Sequence, residues 1–307
     1  MITSIFNKSK PINFVLVIVI LFMAFVSVNV QELNDKLSIA VLFERGTIFL
    51  ISVFSVFLLN FIVIKNKLVD QSSYHILLFS LFLALFPITL ISTKLLLSNV
   101  FILLALRKII SMRTQKEIKK KLFDASFWIG VASVFYFWAI LFFLLIFIAL
   151  FLFSDNKIKD WIIAFTGMLT VFLLAVCYNL VSYNNLDFLK NFVPTLNFNL
   201  SNYNSIRLIV SITIVLTFSL WSTFFYVNLI KSKLKIFKPA HKIVVAALVI
   251  ALSIVVFSDE RTSGEFIFIF APLTIITSNY IQSIPEKWFK DAFLATLIVA
   301  PIVTSFL

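Results

Sequence analysis

The sequence predicts an all-α fold, a polytopic bundle of transmembrane helices, and three observations predict it. Apolar residues make up 61% of the chain and charged residues only 13%, outside the balance of a soluble domain. The apolar residues fall in runs near the 20 or so that a helix needs to cross a hydrocarbon core of about 30 Å. The cations gather in short joins between runs, the pattern of positive-inside bias. About 11 membrane passes result, or 10 if Ser126 to Phe153 forms one helix, and no stretch is left over for a soluble domain.

Taken in order, Lys8 and Lys10 lie on a basic tip that ends at Pro11, and Phe14 to Val30 makes the first span. Its apolar part is longer than a signal peptide's and no A-x-A site follows, so it reads as a retained span. A loop from Gln31 to Gly46 precedes the second span, Thr47 to Ile64, and Lys65 and Lys67 mark the return. The third span, His75 to Ile91, contains Pro87, which removes a backbone hydrogen bond and predicts a kink. The fourth begins near Lys94 and ends in a basic loop, residues 107–125, where seven cations stand within fifteen residues. Later spans fall at Trp161 to Tyr178, Ile206 to Ile230, Lys242 to Phe257, Phe266 to Ile281 and Phe293 to Leu307.

The uncharged run 126–153 decides the sidedness of everything after it. As a single crossing it divides the 26 Lys and Arg into 14 on one side and 12 on the other, which is no bias. As a short helix hairpin turning near Phe137 and Trp138 it divides them 20 to 6, while the acids divide 7 and 7. The hairpin agrees with the positive-inside rule. One helix of 28 residues would be about 42 Å long and could tilt to fit, and the YFW turn lacks the usual Gly, Pro or Asn. The favoured cut gives a cytoplasmic N-terminus and a C-terminus on the outer side, which is periplasmic if the membrane is a bacterial inner one. Three outer patches follow: Gln31 to Gly46, Asn179 to Asn204 and Ser258 to Glu265.

Several chemistries are disfavoured. The net charge of +12 sits beside apolar spans, as contact with anionic membrane lipids requires, so no nucleic-acid partner is expected. His75 and His241, read as interfacial, stand on unrelated segments, and the single Cys177 lies in an apolar run; no metal site is expected. With only 4 Gly, no phosphate-cradling glycine loop is present. No ionisable group falls in mid-membrane, which argues against a proton-coupled pump.

Carboxylate chemistry at the outer face remains. Glu32 and Asp35 are three apart, so on a helical turn they share a face, and Glu44 and Arg45 close that loop. DERTSGE supplies Asp259, Glu260, Arg261 and Glu265 just before a span. Acids there suit a base, and Arg261 suits a phosphate; ordinary solvated loop charges would look the same. Lys119, Lys120 and Lys121 suit phosphate or lipid headgroups, with Asp124 pairing to the latter two or capping a helix. Ser126, Gly130 and Ser133 leave one helix face flat enough for close packing.

The stretch FDASFWIGVASVFYFWAILFFLLIF, following the basic loop, resembles the helix hairpins of polyprenyl-phosphate-sugar-dependent membrane glycosyltransferases, the GT-C superfamily. That resemblance implies a catalytic acid in the first extracytoplasmic loop, where Glu32, Asp35 and Glu44 stand, although this loop is shorter than in those enzymes. The chain as a whole resembles an uncharacterised family of bacterial polytopic inner-membrane proteins, which implies no activity. The leading expectation is an envelope-glycan enzyme using a polyprenyl-phosphate sugar, with Glu32, Asp35 and Asp259 as candidate catalytic acids and Arg261 for phosphate. The alternatives are a non-catalytic subunit or scaffold with membrane-protein partners, and a lipid-carrier translocator whose groove Asn60, Asn99 and Asn179 would line.

Overall fold

The computed structural model describes residues 2–35, 39–153, 158–184, 201–258 and 261–306, excepting the side chains of residues 2 and 30–35. The helices are α1 (Ile2–Phe6), α2 (Pro11–Asp35), α3 (Ile39–Asn66), α4 (Tyr74–Leu85), α5 (Thr93–Ser111), α6 (Ile118–Phe135), α7 (Phe143–Phe153), α8 (Ile158–Tyr183), α9 (Ile206–Ser232), α10 (Lys238–Phe257), α11 (Ile267–Ser283) and α12 (Lys287–Phe306). No strand occurs among the described residues. Eight of these helices are long and apolar enough to cross a membrane, while Tyr74–Leu85 and Phe137–Phe153 are shorter apolar segments. The chain forms two compact units: residues 1–96, 200–233 and 261–307 in the first, 97–199 and 234–260 in the second.

The first unit is built around α11, in which every residue from Ile267 to Ile281 is buried. A helix apolar all round belongs inside a bundle, and α4 and α9 pack against it. In α4 all residues but Ala84 are buried. Phe79, Phe82 and Phe86 recur at helical spacing and all contact the Phe270 ring, and Phe86 also stacks on Phe266 at 4.7 Å. Helix α4 stops at Leu85, and Pro87 opens a 3-10 turn, Pro87–Leu90. The proline therefore ends the helix where a kink was expected, because its ring cannot continue the hydrogen-bond ladder.

Only a stripe of α9 is buried: Ser211, Val215, Ser219, Ser222, Tyr226 and Ile230. Its opposite face exposes Leu220 and Phe224, which suits a lipid surround. The loop between α3 and α4 is fastened by polar side chains. Asn279 Nδ2 donates to Leu68 O at 2.9 Å, Gln282 Nε2 to Ser72 Oγ at 2.5 Å, and Asn13 Nδ2 to Ser73 Oγ at 2.5 Å. Nearby, Thr3 Oγ1 donates to Asp291 Oδ1 at 2.8 Å and Tyr74 OH to Thr3 O at 2.8 Å.

In the second unit α6 and α8 run parallel in close contact. A Cβ on Gly167 of α8 would collide with Ser126 Oγ and lie 2.7 Å from Phe123 O. A Cβ on Gly130 would lie 3.0 Å from Val171 Cβ. Helix α6 ends at Tyr136, whose backbone is extended (φ −146°, ψ 108°), and a 3-10 turn, Phe137–Phe142, leads into α7. Tyr136 OH and Ser258 Oγ share a 2.6 Å hydrogen bond, and Trp138 stacks on Phe257. Gln115 Nε2 at the foot of α6 donates to Phe153 O at the end of α7, 2.9 Å away. Thus α7 brings the chain back to the level from which α6 starts.

Five residues differ from the sequence reading in place or partner. Glu44 and Arg45 lie in α3, not in a loop. His75, read as interfacial, is buried with Nε2 2.9 Å from Asn60 Oδ1, and His241 is buried in the first turn of α10. Asp124 pairs with Lys108 at 2.6 Å, not with Lys120 or Lys121, because α5 passes α6 at that level, as Phe101 stacked on Trp128 and Ser98 Oγ donating to Ala132 O also show.

Candidate functional site

At the start of α11 the chain R-T-S-G-E, residues 261–265, makes a tight turn. Arg261 (φ 38°) and Ser263 (φ 68°) both take left-handed backbone, which costs on the order of 1–3 kcal/mol per non-glycine residue and recurs at functional sites. Gly264 is present for close approach: a Cβ there would collide with Leu95 Cδ1 and lie 3.1 Å from Ile88 Cγ2. The turn buries its polar residues. Glu265 is 1% exposed, Ser263 1% and Arg261 4%.

Glu265 is held from two sides. Tyr203 OH donates to its Oε1, and Thr262 Oγ1 lies 3.5 Å from Oε2. Gly264 N donates to Thr262 Oγ1 at 3.4 Å. Phe266 stacks on Phe86 and meets Tyr203 edge-on, so aromatic packing fixes both the carboxylate and its phenol donor. Ser205 caps α9 by accepting from Leu208 N at 3.3 Å, and Arg207 stands in that first turn. Among the described residues, Arg207 Nε and Ser263 Oγ are buried without a hydrogen-bond partner. Buried polar atoms without partners are uncommon and call for a ligand or water.

The other sequence candidates scatter. Glu32 and Asp35 fall in the last turn of α2, where side chains lie outside the described residues, as does Asp259 altogether. Lys121 Nζ is engaged by Ser111 O at 2.7 Å and Thr114 Oγ1 at 2.8 Å, whereas Lys119 and Lys120 are exposed on the first turn of α6. Asn60 is turned to His75, and Asn179 Nδ2 to Ala175 O at 2.9 Å; Asn99 is buried in α5. Among the described residues no three His, Cys, Asp or Glu side chains come together as metal ligands. Sequence reasoning passed over Tyr203, Arg207 and the central part of Glu265. The available signal was an acid directly abutting the apolar run Phe266 to Ile281.

Long apolar helices, lipid-suited outer faces and one buried carboxylate nest define a multi-span α-helical membrane protein. The chain belongs to the DUF6427 family, described as a family of unknown function, whose model matches residues 1–307. No curated protein and no solved structure matches it.

Proposed function

We propose that this membrane protein acts on a polyprenyl-phosphate-linked sugar in envelope glycan assembly, with the turn at residues 261–265 as its polar site. The observation that carries the reading is Glu265: a buried carboxylate fixed by Tyr203 four residues past Arg261. Burying a carboxylate among apolar side chains costs several kcal/mol unless specific partners hold it, and the Tyr203 phenol is such a partner. Arg261, in the turn itself, supplies a cation that a phosphodiester needs. In the transfer step an acceptor hydroxyl oxygen bonds to the anomeric carbon as the anomeric C–O bond to phosphate breaks. Polyprenyl phosphate leaves with the bond's electron pair, and the hydroxyl proton passes to Glu265 Oε2. Glu32, Asp35 and Asp259 remain candidate acids on the same hypothesis, and the orientation that exposes this turn to the periplasm is part of it.

The test is a chromosomal Glu265→Gln variant, checked for wild-type membrane abundance, with the host's glycans resolved on gels. Loss of a glycan band, together with loss of co-purified polyprenyl phosphate by mass spectrometry in Arg261→Gln, is expected. An unchanged glycan profile at normal abundance removes the enzyme reading. The second reading is a non-catalytic subunit, favoured by the broad apolar face of α9; it predicts a co-purifying membrane partner and tolerance of Glu265→Gln.

A further inference from the structure

We infer that the basic end of the second unit is a binding surface for the headgroups of anionic phospholipids. Residues 113–121 and 234–242 carry eight cations against one acid, Glu117. The two segments are pinned together, with the Arg113 guanidinium 4.3 Å from the centre of the Phe237 ring. The first segment is also rigid. Gln115 and Glu117 both take left-handed backbone (φ 57° and 51°), Gln115 is bonded to Phe153 O, and Lys121 closes the turn on Ser111 and Thr114. What this leaves outward are Lys116, Lys119, Lys120, Lys235 and Lys242, all exposed.

Neighbouring apolar side chains favour a lipid surface over an acidic protein. Leu234 is 70% and Ile236 62% exposed, one on each side of Lys235. The link that carries them joins the ends of two candidate spans, α9 and α10. Apolar side chains at that level enter the acyl boundary while lysines reach the phosphates. Each such cation near an anionic surface strengthens binding about fivefold, and salt screens it. This surface belongs to a different unit from the Glu265 turn and does not depend on it.

The test uses the full chain, delipidated in detergent and offered equal amounts of phosphatidylglycerol and phosphatidylcholine with matched acyl chains, the bound lipids counted by native mass spectrometry. Retention of phosphatidylglycerol should exceed that of phosphatidylcholine by at least about tenfold. Salt at 0.5 M should reduce the difference, and Lys116→Ala/Lys119→Ala/Lys120→Ala should lower it by about fivefold per lysine that reaches a headgroup. The corresponding triple Arg variant should retain it. Equal retention of both lipids, insensitivity to salt, or an acidic protein displacing phosphatidylglycerol would overturn the inference. The salt response of the wild-type chain decides the matter should the Ala variant fail to fold.

Discussion

Of the two glycines at the α6–α8 contact, Gly167 is the tighter, and its neighbour across the interface includes backbone. A methyl there meets Ser126 Oγ and sits 2.7 Å from Phe123 O, and a backbone carbonyl in a packed helix cannot turn aside. The nearest atoms to a Cβ on Gly130 belong to the side chains of Val171 and Met168, at 3.0 Å and beyond, which can yield a few tenths of an ångström. Gly167→Ala should therefore destabilise by about 1–3 kcal/mol through overpacking, and Gly130→Ala by less. Thermal unfolding in detergent measures both, and a larger loss at Gly130 would contradict this packing. Adding Ser126→Ala should return part of the Gly167→Ala loss, since the clash with Phe123 O stays. Half of this contact was legible in the sequence. Ser126 and Gly130 stand at helical spacing in one run, whereas Gly167 lies in another, and no local pattern says which two runs meet. Glu265 was hidden for a related reason: Tyr203 holds its carboxylate and Leu95 and Ile88 crowd the adjacent Gly264, all distant in the chain.

Helix ends show where local rules lose to tertiary contacts. The turn after α6 has no Gly, Pro or Asn; Tyr136 and Trp138 make it by reaching Ser258 and Phe257. Tyr136→Phe and Ser258→Ala should each cost about 0.5–1.5 kcal/mol, the net worth of one hydrogen bond. The double variant should cost little more than either alone, because both remove the same bond; full additivity in a double-mutant cycle would mean that bond does not hold the turn. Charges misled in the opposite way between α2 and α3. Gln31 to Gly46 reads as a loop because Glu32, Asp35, Glu44 and Arg45 mark the exit from the apolar core, yet α2 runs to Asp35 and α3 starts at Ile39. A charge marks the edge of the hydrocarbon, and a helix built from Leu, Glu, Gln and Ala continues past it. Apolar run length, in contrast, carried the succession of helices well, since the bilayer thickness that sets it acts on each run separately.

The topology of the whole molecule turns on residues 126–153, for which charge counting and geometry supply independent arguments. Counting concerns 26 cations spread over every loop, while geometry concerns one hydrogen bond, Gln115 to Phe153, joining the two feet of α6 and α7. Both place Lys116 and Lys159 on one side of the membrane, and both residues are exposed. A straight crossing would instead separate them by the full hydrocarbon thickness of about 30 Å. The chain has one cysteine, so Cys177→Ser provides a background for single cysteines at Lys116 and Lys159. In intact cells neither should react with a membrane-impermeant maleimide, and in inverted vesicles both should, if the chain follows the positive-inside rule. Joint labelling from outside would keep the hairpin and invert the molecule, against the periplasmic placement of the Glu265 turn that the proposed function requires. Opposite labelling of the two positions would break the hairpin itself, reverse the side of every helix from α8 onward, and return the Lys and Arg division to 14 and 12.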